Sequence, residues 1–598
     1  MLRKFIGLDT ETAKGKALLI GLPFSHYLFP PSFESIVTYL SSVSKNFVAY
    51  NMDYDIRALL CYLPKSSLVN LSRFATVRWK GYYLRYIPSK IFSIGILHKR
   101  LFSVYDCAQF FSGPLAKVSK DVLGLSKYDI PKSWLHSMDI VLADPRKRQR
   151  VIDYCKHDAF LAQELFEHAR KSFESFGMPF NKPLSAGSLA MNKFGSRMKN
   201  SLPLWEHNKF QRLFHGGRFE VFKKGYFTDC YIYDINSAYP YALSTFFDPR
   251  LCHIKKGKTY SDKAVYGYYD VVLHIPSNIY ISPVGRITKL ADTGSTDNLF
   301  PVGSFRSILD LYSLRSALPY VEKILYSHEF FPSRLTKLLF PEMTTLYLER
   351  KLKPELSLAI KLVINSLYGK HAERIRKLVS FEKLYKGPPL TITPNDLFFK
   401  GEFYRRVRAI TSHTDFLIAS HVTGFTRHEL FNKMILEEKA LIFCATDGIV
   451  TNSPLPISLS DKLGAWNLKA KLKELIIIGS GIYAYRPSLS SNGVCPICNT
   501  VLQAENHWHN TFRGFNTSNQ LRDILKKSEE EEISVPVVIN YSLDECVRRN
   551  RLDLLNQIKV VNRYLNVNFD RKRLWDCNLS KGKYLLEKQI DSQPWIIG

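Results

Sequence analysis

The sequence predicts a multidomain chain that joins an α/β unit to a mixed α+β unit, and three observations predict it. Its 598 residues exceed what one core organises, and a hydrophobic content of 45% excludes disorder along most of the length. Residues 3–175 alternate strand-like and helix-like runs, the pattern of an α/β layer. Beyond them the alternation gives way to a mixed region reaching about residue 480, followed by a basic, less regular stretch at 481–598.

In the first unit "KFIGLDTET" and "ALLIGLPF" read as strands, "FESIVTYLSSV" as a helix, "NFVAYN" as a strand and "DYDIRALLCYL" as a helix. The long helix "VIDYCKHDAFLAQELFEHARKSF" closes it. The stretch "FGMPFNKPLSAGSLA" (176–190), with its Pro, Gly and Ser, reads as a linker. The second unit holds a strand "GYFTDCYIYDI", a helix "LSLAIKLVINSLYGKHAERIRK", a Pro-rich turn "KGPPLTITPND" and a hairpin "IFCATDGIVT". The acidic run "SEEEE" (528–532) reads as a solvated loop or helix end. There is no internal repeat.

Lys and Arg number 83 against 54 Asp and Glu, a net charge of +29, so the expected partner is a polyanion. Interleaved with the cations are 33 Tyr and 39 Phe, whose rings stack bases while the cations track phosphates; single-stranded nucleic acid is favoured. Ten scattered Cys with one close pair indicate a reducing compartment. No apolar run reaches membrane-helix length, and "MLRKFIGLDTET" enters a strand at once, so neither a membrane partner nor a signal or transit peptide is expected. A monomer is expected.

Four acids and a tyrosine mark the first unit. Asp9 and Glu11 stand at i and i+2, on one face of a strand. Asp55 opens a helix just after a strand, where ligands sit in α/β sheets. Tyr154 and Asp158 are i, i+4 neighbours on a helix. Acids so gathered raise one another's pKa, and divalent metals resolve the conflict. A pair of Mg²⁺ ions roughly 3.5–4 Å apart clamps the attacking and leaving oxygens of a phosphoryl displacement.

The order DxE, Asn-x-x-(aromatic)-Asp, Tyr-x-x-x-Asp resembles the three exonuclease motifs of proofreading DNA polymerases. The resemblance implies that Asp9, Glu11, Asp55 and Asp158 hold the metals, that Tyr154 orients the attacking water, and that Thr12, Asn51 and Tyr54 touch the frayed primer end. In "YDCAQFF" (105–111), Cys107 and Ala108 replace the family's Ser-Leu.

The second unit carries a second set. "YIYDINSAYPYAL" resembles motif A of family B DNA polymerases, with Asp234, Ser237 and Tyr239 in place, and "KLVINSLYG" (361–369) resembles motif B. Lys361, Asn365 and Tyr368 recur at helical spacing, so a cation, an amide and an aromatic share a face suited to a triphosphate, a sugar and a base. "ATDG" then stands for motif C, usually D-T-D-S: Asp447 is kept, while Ala445 and Gly448 depart. The resemblance implies a two-metal site (Mg²⁺ or Mn²⁺) from Asp234, Asp447 and the carbonyl of Ile235. It also implies Tyr239 under the sugar, excluding a 2′-OH, with Arg350 or Lys351 on the triphosphate.

"FHGG" (214–217) resembles the (Tyr)-x-Gly-Gly motif of the protein-primed branch. Insertions at about 245–340 and 383–415 also fit that branch, as does "HVTGFTRHEL" (421–430), which implies Arg427 at the primer. In "GIYAYRP" (481–487) Gly481 stands where the branch has Lys. The implied layout is an RNase H-like exonuclease domain (1–175), a linker with FHGG (176–225), palm and fingers (226–480) and a thumb region (481–598). The implied partners are template and primer DNA, dNTPs and a terminal protein, in strand-displacing replication of a linear genome within the cytoplasm of a host cell.

Finally, "CPICNTVLQAENHWHN" offers Cys495, Cys498, His507 and His509, a donor set for one structural Zn²⁺ in the thumb region. Two alternatives stand beside the main reading: an ordinary nucleic-acid-primed family B polymerase, and a catalytically weakened DNA-binding protein, suggested by Ala445 and Gly448.

Overall fold

A long helix, Pro145–Ser175, organises the first unit. Asp144 caps it by accepting from the Arg146 N–H, and Pro145 supplies a preset first turn. The helix lies so close to the strands that a Cβ on Gly7 would fall 1.8 Å from the Ala159 carbonyl oxygen, and one on Gly21 2.6 Å from Cys155 Sγ. The computed structural model describes residues 4–597 apart from 182, 204–205, 290–295, 386–395, 400–401, 491, 499–500, 502–506, 516 and 518.

The helix covers a six-stranded sheet in the order Ile6–Gly7, Asn46–Ala49, Lys99–Asp106, Ile91–Ile96, Tyr82–Ile87, Thr76–Trp79. The first three strands are parallel, as the alternation predicts, but the rest form an antiparallel ribbon the sequence does not announce. Its tight turns use positive φ at Lys80 and Gly81 and again at Leu97 and His98. Only the first of these carries a glycine signal. Asp9–Ala13 pairs instead with Lys16–Leu22 in a separate three-stranded sheet.

The second unit is built on an eight-stranded sheet. Its path runs Arg218–Val221, Leu441–Thr446, Gly448–Thr451, Lys224–Ile235, Trp466–Gly479, Ile482–Pro487, His509–Phe512, and Gln589–Ile590 adds to Lys224–Ile235. Helices Ala238–Thr245, Pro354–His371 and Phe416–Met434 pack together beside it. The insertion after the first of these forms a further sheet, whose strands include Tyr266–Ile275, Val302–Asp310 and Val321–Phe331 and which Ile596–Ile597 joins at its edge.

Three expectations need correction. The stretch 176–190 is no free linker: Met178 and Phe180 are buried, the Phe180 ring lies 5.2 Å from Phe166 and 5.5 Å from Phe173, and Ala186 begins a helix. Its apolar residues outweigh its Pro and Gly, so burial orders it. The helix expected through Lys377 ends at His371, and Arg374–Ser380 is a strand paired with Glu402–Ile410. The Pro-rich turn "KGPPLTITPND" lies, but for Asp396, outside the described residues. Nor is 481–598 one block. Tyr541, Leu543, Leu554 and Leu555 enter the core of the first unit, where Arg57 Nη1 donates to the Tyr541 carbonyl (3.1 Å).

Residues 570–597 return to the second unit and close on a buried charge triad. Arg218 donates to Glu220 Oε2 through Nε (2.9 Å) and Nη2 (2.6 Å), and Arg573 Nη1 to Oε1 (2.8 Å). Against burial, which alone would raise it, the two guanidinium groups hold the Glu220 carboxyl below its ordinary value. Removing one partner strands a buried charge. Arg573→Ala should therefore destabilise the second unit by about 3–5 kcal/mol, read as a lowered denaturation midpoint; an unchanged midpoint would show the triad to be dispensable.

Candidate functional site

In the first unit the predicted acids come together. The edge strand Asp9–Ala13 presents Asp9 and Glu11, the helix Asp53–Leu60 presents Asp55, and the long helix presents Asp158. Donor atoms of Asp9, Glu11 and Cys155 lie within 4.8 Å of one another. Thr10 Oγ1 donates to Asp55 Oδ1 at 2.9 Å. Burial pushes Asp9 well above the carboxylate range, with Asp55, Asp158 and Glu11 adding to it. Burial and then Asp158 push Glu11 up to about 8, and burial takes Asp55 to about 7.

The cation that answers them is one the sequence reading misses. Lys127 Nζ sits 2.5 Å from Asp158 Oδ2 and 4.7 Å from the centre of the Tyr154 ring. It comes from a loop with no motif of its own; only its position shortly before the long helix could have drawn notice. Asp158 Oδ1 is buried with no hydrogen-bond partner among the described residues. An orphaned carboxylate oxygen beside three more acids is a donor set that fits divalent cations.

The expected primer-end residues flank this cluster. The Thr12 and Tyr54 hydroxyls are hydrogen-bonded at 2.6 Å. Asn51 takes φ +61°, and its N–H donates to Asp106 Oδ1 at 3.0 Å. Cys107 is fully buried.

In the second unit Asp234 ends the central strand and is paired in register with Gly448. Asp447 occupies the turn between the paired strands, and the Ile235 N–H donates to its carbonyl at 3.0 Å. Backbone strain brackets the pair: Ser237 takes φ +50° and Thr446 φ +59°. Burial first, and Asp234 second, raise Asp447 to about 6. Lys469, another cation without a motif, reaches Asp234 Oδ2 at 3.2 Å. Burial raises Asp234 although Lys469 opposes it.

Beside these acids the Tyr239 and Tyr368 rings meet at 4.4 Å between centroids. A Cβ on Gly217 would fall 3.0 Å from Thr446 Cγ2 and 3.3 Å from the Tyr239 hydroxyl, so FHGG abuts the site. Lys361 and Asn365 are exposed on the helix that carries Tyr368. Lys351 is engaged by Asp461 (2.8 Å to Oδ2), while Arg350 is half-buried on the same helix.

Arg427, expected to touch the primer, is buried. Its guanidinium donates to the carbonyls of His215 (3.0 Å) and Gly216 (2.9 Å) and to Asp310 Oδ2 (3.0 Å). The cause is electrostatic: Asp310, fully buried on the insertion, needs a cation, and Arg427 is paired with it. Gly481 also has a reason to differ from Lys. Its φ is +82°, and a Cβ there would fall 2.7 Å from that of Arg513.

A third cluster lies apart. Cys495 Sγ stands 3.2 Å from His509 Nε2, and Cys498 Sγ 3.4 Å from His507 Nε2. Among the described residues no helix is long and apolar enough to cross a membrane.

The family described as DNA polymerase type B, organellar and viral, matches residues 146–383. The DNA-directed DNA polymerase of Enterobacteria phage PRD1 is 22% identical over 370 residues, 56% of this chain and 60% of that protein. The DNA polymerase of Acidianus bottle-shaped virus is 22% identical over 427 residues, 68% of this chain and 59% of that protein. The chain thus spans about three-fifths of the length of these relatives. Its fold is similar to that of phi29 DNA polymerase complexed with primer-template DNA and incoming nucleotide, with a TM-score of 0.63 at 14% identity, over 95% of this chain and 100% of that one.

The raised carboxyls of the first cluster set a pH dependence. Below the unfolded value of 4.5, Glu11 is protonated in folded and unfolded chains alike. Between 4.5 and about 8 the unfolded chain ionises while the folded site resists, so metal-free protein loses stability as pH rises through that window. Glu11→Gln with Asp55→Asn should raise the melting temperature of metal-free protein by several degrees at pH 8 and hardly at all at pH 4. Equal effects at both pH values would contradict the buried-acid assignment.

Proposed function

We propose that this chain, which belongs to the organellar and viral type B DNA polymerases, extends a primer on a DNA template and trims mispaired ends at a separate N-terminal site. The observation that carries the reading is the pairing of Asp234 with the Asp447 turn on adjacent strands, beside the packed rings of Tyr239 and Tyr368.

Asp234, Asp447 and the carbonyl of Ile235 would hold two divalent cations, Mg²⁺ or Mn²⁺. Bound there, such ions supply charge neutralisation and Lewis acidity at a transferring phosphoryl group. The primer 3′-oxygen displaces pyrophosphate from the α-phosphorus of a dNTP. Tyr239, braced by Tyr368, is the floor against which a 2′-OH would clash. Lys361, exposed on its helix, offers charge to the triphosphate, and Asn365 offers an amide to the sugar or base. Ala445 removes one carboxylate of the family pattern but leaves one from each of two strands.

At the N-terminal site Asp9, Glu11, Asp55 and Asp158 would hold two more cations. Lys127 fixes Asp158 by its ion pair and lies over the Tyr154 ring, which in turn positions the attacking water. Thr12, Asn51 and Tyr54 would receive the frayed end. The thiol and imidazole donors at 495–509 take no part in either reaction.

Initiation from a hydroxyl of a terminal protein is the reading supported by the insertion between Asp234 and Lys361, which has a core of its own and exposes Lys255, Lys256 and Lys258. Combining the polymerase, labelled dNTP, Mg²⁺ and the cognate terminal protein should give a covalent protein–dNMP adduct. Removing part of the insertion should suppress that adduct more than extension of a DNA primer. Equal suppression would favour ordinary nucleic-acid priming.

The central test separates the two chemistries. Asp234→Asn and Asp447→Asn should each lower dNTP incorporation by about 100-fold or more while degradation of single-stranded DNA continues. Asp9→Ala with Glu11→Ala should do the reverse. Near-normal incorporation by Asp447→Asn would overturn the assignment, as would equal loss of both activities in the folded double variant. Tyr239→Val should relax rejection of ribonucleotides, measured as the ratio of rNTP to dNTP incorporation.

A further inference from the structure

We propose that Cys495, Cys498, His507 and His509 bind one Zn²⁺, and that this ion pins the terminal strand of the polymerase sheet in register. Neither acid cluster contributes a ligand, so the site stands whether or not the polymerase reading does.

One donor atom from each of the four residues lies within 4.8 Å of the other three. A tetrahedral zinc with Zn–S about 2.3 Å and Zn–N about 2.0 Å sets S···N edges of about 3.5 Å. The two Sγ···Nε2 distances are 3.2 and 3.4 Å. Two separate S–H···N hydrogen bonds would account for either distance alone, but nothing in them requires both pairs to converge on one point. The His-x-His spacing places both imidazoles on one face of the chain entering strand His509–Phe512. Two thiols and two imidazoles select zinc over Mg²⁺, which prefers oxygen donors.

The local fold explains why a metal is needed. His509–Phe512 is four residues long, all only half-buried, at the end of the sheet path. Phe512 is its one apolar side chain and packs, with Trp508 just before the strand, against the cluster that holds Ile482 and Ala484, so burial grips it at one end alone. Its register is Ile482 opposite Phe512 through Tyr485 opposite His509, and the Tyr485 ring stacks on the His509 imidazole at 5.1 Å. From Tyr485 the ring contacts run to Tyr483 (6.1 Å) and on to Phe443 (5.2 Å), in the strand that leads to Asp447. Metal binding adds folding free energy to the little that burial supplies at the His509 end.

Full-length protein purified under reducing conditions without chelator should contain one zinc per chain by elemental analysis, and Cys495→Ser with Cys498→Ser should lose it. Because that variant could lose zinc by misfolding, the wild-type protein is also stripped and titrated with Co²⁺, which should give thiolate-to-cobalt charge-transfer bands and the visible absorption of a tetrahedral site. Stripping should lower the melting temperature, with recovery on adding Zn²⁺ but not Mg²⁺. Reduced wild-type protein that contains no zinc and gives no thiolate–cobalt bands would overturn the site. Zinc that can be removed and restored with no change in melting temperature would overturn its role as a pin.

Discussion

Carboxylates held out of water beside one another are the constraint around which this molecule is arranged. At the N-terminal site four acids lie near Lys127, which pairs with Asp158, and at the second site Asp234 and Asp447 lie near Lys469. Neither lysine neutralises its cluster: burial first raises these carboxyls, and in Asp9, Glu11 and Asp447 neighbouring carboxylates add to it. The geometry that creates it is close packing: Gly7 and Gly21 let the helix bearing Asp158 descend onto the strands, and the Asp447 turn hydrogen-bonds to the residue after Asp234. The repulsion built in this way is what makes both places fit for divalent cations.

The two sites sit in one continuous body rather than on separate beads. Phe166 and Phe173 of the first unit share a core with Val363 and Ile364 of the helix that carries Lys361 and Tyr368. Ser172 Oγ accepts from the Ala359 N–H of that helix at 3.2 Å. The orientation of the helix is thereby referred to the first unit. Residues 541–556 dock on the same unit from the other end of the chain, with Ser72 Oγ donating to Asp544 Oδ1 at 2.6 Å.

Buried ion pairs hold the remaining joints. Arg427 ties the helix Phe416–Met434 to Asp310 of the insertion and to the FHGG turn, which abuts Thr446 and Tyr239. The Arg218–Glu220–Arg573 triad fixes the C-terminal return against the sheet edge next to the strand that ends at Thr446. Residues far apart in sequence thus brace the turn that carries Asp447. Because each charge in these pairs is desolvated, geometry must be kept or the whole penalty of an unpaired ion appears.

The candidate acids could be picked out from the chain alone. Asp9 with Glu11 and Tyr154 with Asp158 were legible because period-two and period-four spacings are local properties of a strand and a helix, Asp55 from its place where a strand passes into a helix, and Asp234 and Asp447 through the motifs they resemble. The same holds for the Cys and His donors, and for helices such as Phe33–Val43, whose limits match its apolar run. The rest depends on contacts between distant segments. Lys127 and Lys469 reach their acids from elements with no motif, and local spacing carries no information about charge partners that meet across space. Arg427 turns inward because of Asp310, 117 residues earlier. The apparent linker at 176–190 is ordered by aromatic rings of a helix already closed, and the turn at Leu97–His98 adopts positive φ without the glycine that would have announced it. In each case a long-range gain from burial or pairing overrides a weak local preference, and the sequence states only the preference.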